Sequence, residues 1–193
     1  MEGAHPSIIK KLSETNLFHT VGYGSDEFSE EARTLIRKAC GAPNAEVQFL
    51  VGGTQTNAVV IDCILKKWQG VIAADSGHVA VHEAGAIEFT GHKVLPVKGE
   101  DGKLTAAAVD SYISDFYKDA NWTHMVEPGM VYISQPTELG TMYSKKELSE
   151  LSEVCRRRNV PLFVDGARLA YALGSDENDI SLEDLARLAD VFY

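Results

Sequence analysis

Apolar and polar positions along this chain follow two periods that keep trading places. Short apolar runs bounded by Gly or Pro alternate with longer stretches in which apolar residues recur three and four apart. The short runs, at residues 47–51, 71–74, 93–97, 130–134 and 162–164, read as strands covered on both faces. The longer stretches, at 6–12, 26–40, 55–68, 104–117, 145–158 and 181–189, read as helices. The second of these shows the signals well. Ser25 or Asp26 stands as its cap, Phe28, Ala32, Leu35, Ile36 and Ala39 keep helical spacing, and Gly41-Ala42-Pro43-Asn44 stops it. Residues 190–193 begin a further strand. Strand and helix in alternation predict an α/β architecture, and no repeat, low-complexity segment or linker divides it.

The candidate chemistry lies just after the strands. Pro161 to Val164 is a buried run that ends on Asp165, a glycine turn and Arg168. Ligands of open α/β sheets sit beyond the carboxyl ends of such strands. An Asp there can stay ionised opposite a cation such as a protonated pyridine ring, or it can simply form the turn. Gly52-Gly53-Thr54 stands between a strand and a helix, where free N–H groups and the helix dipole attract anions. It is neither a Walker A loop nor a GxGxxG motif, and the other reading is a plain turn capped by Thr54. Gly22-Tyr23-Gly24 is not a GxGxxG motif either.

His78 and His82 are four apart and share a face if the segment is helical, and His82-Glu83 matches half of an HExxH zinc site. The second half is missing, since Ala86 stands there, and Gly77 and Gly85 on either side weaken the helical premise. No metal site is expected. An imidazole stacked on a flat ring would use His78 without a metal. Ser134 to Glu138 follows a strand and so reaches the same sheet edge as Gly53 and Asp165, to meet a ligand or to form a Pro turn. The remaining histidines show no useful spacing.

Composition narrows the classes. With 193 residues, 45% hydrophobic, the chain has room for one substantial core. A net charge of −10 argues against a nucleic-acid face, and the Arg156-Arg157-Arg158 cluster closes a helix, where cations offset the dipole. No run approaches a membrane span, and the first residues lack a secretory layout, which predicts a cytoplasmic protein. Cys40, Cys63 and Cys155 lack CxxC spacing and read as reduced, buried thiols.

Taken together and in order, His5-Pro6, Gly22-Tyr23-Gly24, Gly52-Gly53-Thr54 with Asn57, Gly77-His78 through His82-Glu83-Ala84-Gly85, and Asp165-Gly166-Ala167-Arg168 resemble the threonine aldolase and β-eliminating lyase family of pyridoxal-phosphate enzymes. The resemblance runs over essentially the whole chain. It implies the aminotransferase-like fold, a large domain around a mostly parallel seven-stranded sheet with a smaller carboxyl-terminal domain. Residues 1–20 are then an amino-terminal helical segment, and 21–193 a large domain incomplete at its carboxyl end.

The resemblance also implies roles. Gly53 and Thr54 hold the cofactor phosphate, and His78 stacks on the ring. Asp165 pairs with the pyridinium nitrogen, and Arg168 sits near the cofactor and the substrate carboxylate. His78, Asp165 and Arg168 are the implied catalytic residues. Family members carry the Schiff-base lysine shortly after a strand like 190–193, and a substrate-contacting segment before a start like this one, so the chain is expected to be the amino-terminal part of such an enzyme. Many threonine aldolases have His where this chain has Glu138, which leaves the substrate open.

The activity so implied is cleavage of L-threonine or L-allo-threonine to glycine and an aldehyde, by a homodimer or homotetramer. Gly22-Tyr23-Gly24 and the His82-Glu83 neighbourhood are the candidate interface contacts. The alternatives are β-elimination or transamination of another amino acid, a non-catalytic protein of the same fold, and a nucleotide-binding domain, which leaves Asp165 and Arg168 unused.

Overall fold

The computed structural model describes residues 3–193. Helix α1 (Pro6–Thr15) starts on the His5 ring, which accepts from the Ser7 amide. Helix α2 (Glu27–Ala39) starts on the Asp26 carboxylate, which accepts from Ser29 N. Helix α3 (Gly53–Ile64) starts on Gly52, which has no side chain to offer. Next come β1 (Gln69–Ala74), the single-turn helices α4 (His78–Val81) and α5 (Ala86–Phe89), and β2 (Lys93–Val97). Helix α6 (Ala106–Lys118), a 3₁₀ turn at Trp122–His124 and β3 (Glu127–Ser134) lead to α7 (Lys145–Arg158). The chain continues through β4 (Leu162–Asp165), α8 (Leu169–Leu173) and α9 (Leu182–Leu188) to β5 (Val191–Phe192). Capping boxes at Ser144/Glu147 and Ser181/Asp184 open α7 and α9.

All strand pairs are parallel, in the order β2-β1-β3-β4-β5. The order reverses between β1 and β3, so their carboxyl ends diverge into a crevice. Successive side chains take opposite faces, and both faces are covered. Ile72, Leu95, Val131, Ile133, Leu162 and Val164 pack against α6, α7 and α9. Val71, Ala73, Val94, Met130, Tyr132 and Phe163 face Ile61 and Leu65 of the α3 layer with Val79 and Ile87. Arg157 and Arg158 at the end of α7 clamp Asp110 on α6, at 2.9 and 2.7 Å.

The expected strand at 47–51 does not form. No strand pairs with it among the described residues. Side chains hold its backbone instead, Arg33 Nε donating to Val47 O at 3.0 Å and Val51 N donating to Gln55 Oε1 at 3.1 Å. Apolar character makes a strand only where a neighbour supplies the ladder, and Val51 is left 92% exposed. The sheet therefore has five strands among the described residues, where seven were implied for the whole domain. Helix α3 begins earlier than expected, and Thr54 lies inside it, not at its cap. The Gly-flanked histidine segment does make one helical turn. Of the cysteines, Cys40 and Cys155 are buried, but Cys63 on α3 is exposed, because the inward positions of that helix are Asn57 and Ile61.

Candidate active site

Asp165 is the last residue of β4, and it follows Phe163 on the α3 face of the sheet by strand alternation. The register sets Tyr132 of β3 opposite Phe163 and Ser134 opposite Asp165. Tyr132 therefore reaches along the same face, and its hydroxyl donates to Asp165 Oδ2. The Asp165 carboxylate is only 4% exposed. Its Oδ1 accepts from the Ala167 amide at 2.9 Å, the turn-forming bond that the sequence allows, and its Oδ2 accepts from Asn57 Nδ2 at 3.1 Å. Burial, followed by the Asp165 charge, pushes the Tyr132 hydroxyl far above its ordinary range, so it stays a donor.

Asn57 is fully buried one turn into α3. Its second N–H donates to Glu83 Oε1 at 2.8 Å, and the same oxygen meets His78 Nδ1 at 2.7 Å. Tyr132, Asp165, Asn57, Glu83 and His78 thus form one hydrogen-bonded chain across β3, β4, α3, α4 and the turn that follows α4. Its two carboxyl groups share one amide. Among the described residues neither has a Lys or Arg partner, and His78 is the single base paired with them. Buried negative charge without a cation is costly. The arrangement suits a ligand that brings its own positive charge.

Beside this chain stands the start of α3. Gly52 contributes no side-chain cap, so the dipole and first-turn N–H groups of a 12-residue helix are free for an anion. A Cβ on Gly53 would lie 2.8 Å from the Tyr193 hydroxyl. Burial and the Asp165 charge hold that hydroxyl in its neutral form as well. On Gly166 a Cβ would lie 1.7 Å from Tyr193 O, so only glycine lets the end of β5 cross the turn after Asp165. Gly53, Thr54, His78, Glu83, Asp165, Ala167, Arg168 and Tyr193 surround one cavity of about 230 Å³.

Arg168, the residue before α8, forms the far wall. Its Nη2 donates to Glu138 Oε1 at 3.1 Å and Pro136 O at 3.3 Å, and Ser134 Oγ donates to the same Glu138 oxygen at 2.7 Å. The Gln135 side chain bonds Tyr143 N and O and fixes the loop that carries Glu138. Arg168 Nε is buried without a partner. A buried donor in that condition favours an acceptor supplied by a ligand.

Gly53, Thr54, His78, Asp165 and Arg168, named from sequence on separate segments, therefore line one cavity. Three further members carried weaker signals. Asn57 stood inside a quoted motif without a role, Glu83 was read with His82 as half of a zinc motif and as a candidate interface contact, and Tyr132 looked like an ordinary strand residue. The Glu83 side chain is 1% exposed and belongs to this network. Tyr23 is fully exposed, on a loop, and is not among the residues lining the cavity. His82 is not among the residues lining the cavity, though its ring lies 5.7 Å from that of His78.

Residues 4–193 match the family model described as beta-eliminating lyase. A low specificity L-threonine aldolase of Pseudomonas aeruginosa is 32% identical over 172 residues, 88% of this chain and 48% of that protein. The chain thus spans about half the length of the curated relatives it matches. The solved structure of Leishmania major threonine aldolase is 44% identical with a TM-score of 0.94, covering 100% of this chain and 55% of that one. Aspartate aminotransferase from Thermus thermophilus shares the fold, with a TM-score of 0.68 at 17% identity over 93% of this chain and 45% of its own.

Proposed function

Because this chain belongs to the beta-eliminating lyase family, we propose that the protein is a pyridoxal-phosphate-dependent aldolase, which cleaves L-threonine or L-allo-threonine to glycine and an aldehyde. The observation that carries this reading is the pairing, in one cavity, of an uncapped helix start with a buried carboxylate that lacks a protein cation. Pyridoxal phosphate has an anionic phosphate and a ring nitrogen that holds a proton, so the residues present fit it at both ends. Gly53 and Thr54 bind the phosphate, and His78 lies against the ring.

Asp165 keeps a proton on the ring nitrogen. Three donors, from Ala167, Asn57 and Tyr132, fix its carboxylate in place and need no rearrangement during turnover. When bound, the cofactor supplies the electron sink that receives the Cα–Cβ bonding pair as the β-hydroxyl loses its proton. Arg168 takes the substrate carboxylate, which satisfies the buried Nε and competes with Glu138 for the guanidinium. Glu138 in turn keeps the guanidinium aligned while no substrate is bound.

In this reading α1 (Pro6–Thr15) forms an amino-terminal arm and residues 21–193 belong to the large domain of a homodimer or homotetramer, with Tyr23 at a subunit contact. The test is to reconstitute the intact protein with pyridoxal phosphate and measure glycine and aldehyde release from L-threonine and L-allo-threonine. Release from either supports the aldolase. Ammonia with 2-oxobutanoate in their place would identify an eliminating enzyme, and 3-hydroxy-2-oxobutanoate without ammonia a transaminating one.

A further inference from the structure

The contact between His78 and Glu83 decides which ring nitrogen carries hydrogen. With Glu83 in its carboxylate form the oxygen accepts and has nothing to give, so the 2.7 Å approach of Glu83 Oε1 to His78 Nδ1 is then a hydrogen bond only when Nδ1 is protonated. An unconstrained histidine side chain prefers its hydrogen on Nε2, so the protein imposes the opposite choice. Glu83 has little freedom to release the ring. Its Oε1 also takes an N–H of Asn57 at 2.8 Å, and that amide is tied in turn to Asp165 at 3.1 Å. Asn57 and Glu83 are both buried, at 0% and 4% exposure, while His78 is one-third exposed on the cavity wall. His78 Nε2 has no protein partner among the described residues.

We propose that Glu83 is a positioning residue, which holds His78 in the Nδ1–H tautomer so that the Nε2 lone pair is the acceptor presented to the bound amino acid. Asn57 is the strut that keeps Glu83 from turning away. The identity of the ligand rests on the function proposed above, whereas the tautomer is a property of the chain alone. The other ionisable groups around His78 are His82 on the same turn, with Asp165, Arg168 and Tyr193 across the cavity. None of these is hydrogen-bonded to the His78 ring, so Glu83 alone selects its tautomer.

The experiment is nitrogen NMR of the intact protein, labelled with ¹⁵N-histidine, free of cofactor and then loaded with pyridoxal phosphate, with His78 assigned from a His78→Gln control. The expected result in the cofactor-free protein is a protonated Nδ1 and a bare Nε2. In Glu83→Gln, whose amide can turn either its oxygen or its NH₂ to the ring, Nε2–H should appear. Turnover should then fall by at least about tenfold with KM little changed, as for other residues that orient a reacting group through hydrogen bonds. A wild-type ring that carries hydrogen on Nε2, as the other tautomer or as an imidazolium paired with Glu83, overturns the proposal, and this reading needs no variant to fold. So does a Glu83→Gln protein with unchanged tautomer and undiminished turnover. The expected tautomer in a protein that takes up no pyridoxal phosphate would support the positioning role while overturning the proposed function.

Discussion

Asp165→Asn separates what this residue does for the fold from what it does for the chemistry. The substitution keeps size and shape and removes the charge. The wild-type carboxylate is surrounded by donors, Ala167 N at Oδ1 and both Asn57 Nδ2 and the Tyr132 hydroxyl at Oδ2. An amide has one oxygen, so its NH₂ must face a donor in either orientation. At least one buried donor then loses its acceptor, at a cost of about 1–3 kcal/mol. For a chain of this size that lowers Tm by roughly 2–12 °C, at about 2–4 °C per kcal/mol. The loss in turnover should be larger. Removing a preorganised group that stabilises charge in the transition state costs about 10²–10³ in kcat. Calorimetry on the cofactor-free protein gives the first quantity, and glycine release by the reconstituted enzyme gives the second. A D165N protein that is destabilised as expected yet turns over like wild type would mean that Asp165 only builds the turn. The assignment of the ring-nitrogen partner would then be lost.

The Gly53 and Gly166 sites should respond differently to alanine. Gly166→Ala drives a Cβ to within 1.7 Å of a backbone oxygen and should abolish soluble expression, whereas Gly53→Ala meets only the tip of Tyr193 at 2.8 Å and should fold. Its expected defect is weaker pyridoxal phosphate binding, read by titration, and equal affinity would remove Gly53 from the phosphate site. Arg168→Lys loses the planar fork and should raise KM for the amino acid by at least about tenfold with a smaller change in kcat; steady-state kinetics decide. The Arg158 and Arg157 guanidiniums hold the Asp110 carboxyl down to about 2 from the usual 3.8. A depressed folded value means that this clamp between α6 and α7 is at full strength above about pH 4 and is lost as pH falls through 2. Denaturant titrations at pH 5, 3 and 2 should show a shallower acid loss for Asp110→Asn than for wild type, and parallel curves would refute the clamp.

Most of the architecture was open to a reading of the sequence, because local signals and long-range demands agree there. The capping residue Asp26, the Ser144 box and the Ser181 box mark helix starts through their own side chains, and strands covered on both faces show as plain apolar runs. The segment 47–51 has the same apolar look and failed, because a strand also needs a neighbour and no local pattern records one. The single turn at His78–Val81 was obscured by its flanking glycines, which allow a helix start without requiring it.

The site divides along the same line. Residue pattern put Gly53 and Thr54 at a helix start and Asp165 after a strand, the resemblance to the family joined His78 and Arg168 to them, and the parallel sheet brings all five to one cavity. What only the tertiary structure decided is the wiring behind that wall. Asn57 and Asp165 are 108 positions apart and Tyr132 and Asp165 are 33 apart. Their hydrogen bonds depend on register, strand face and the approach of α3 to the sheet. The same holds for Glu83, whose burial turns half of a metal motif into the partner of His78. A sequence states which groups can accept or donate, but pairing is a matter of distance, and distance between remote residues is set by packing.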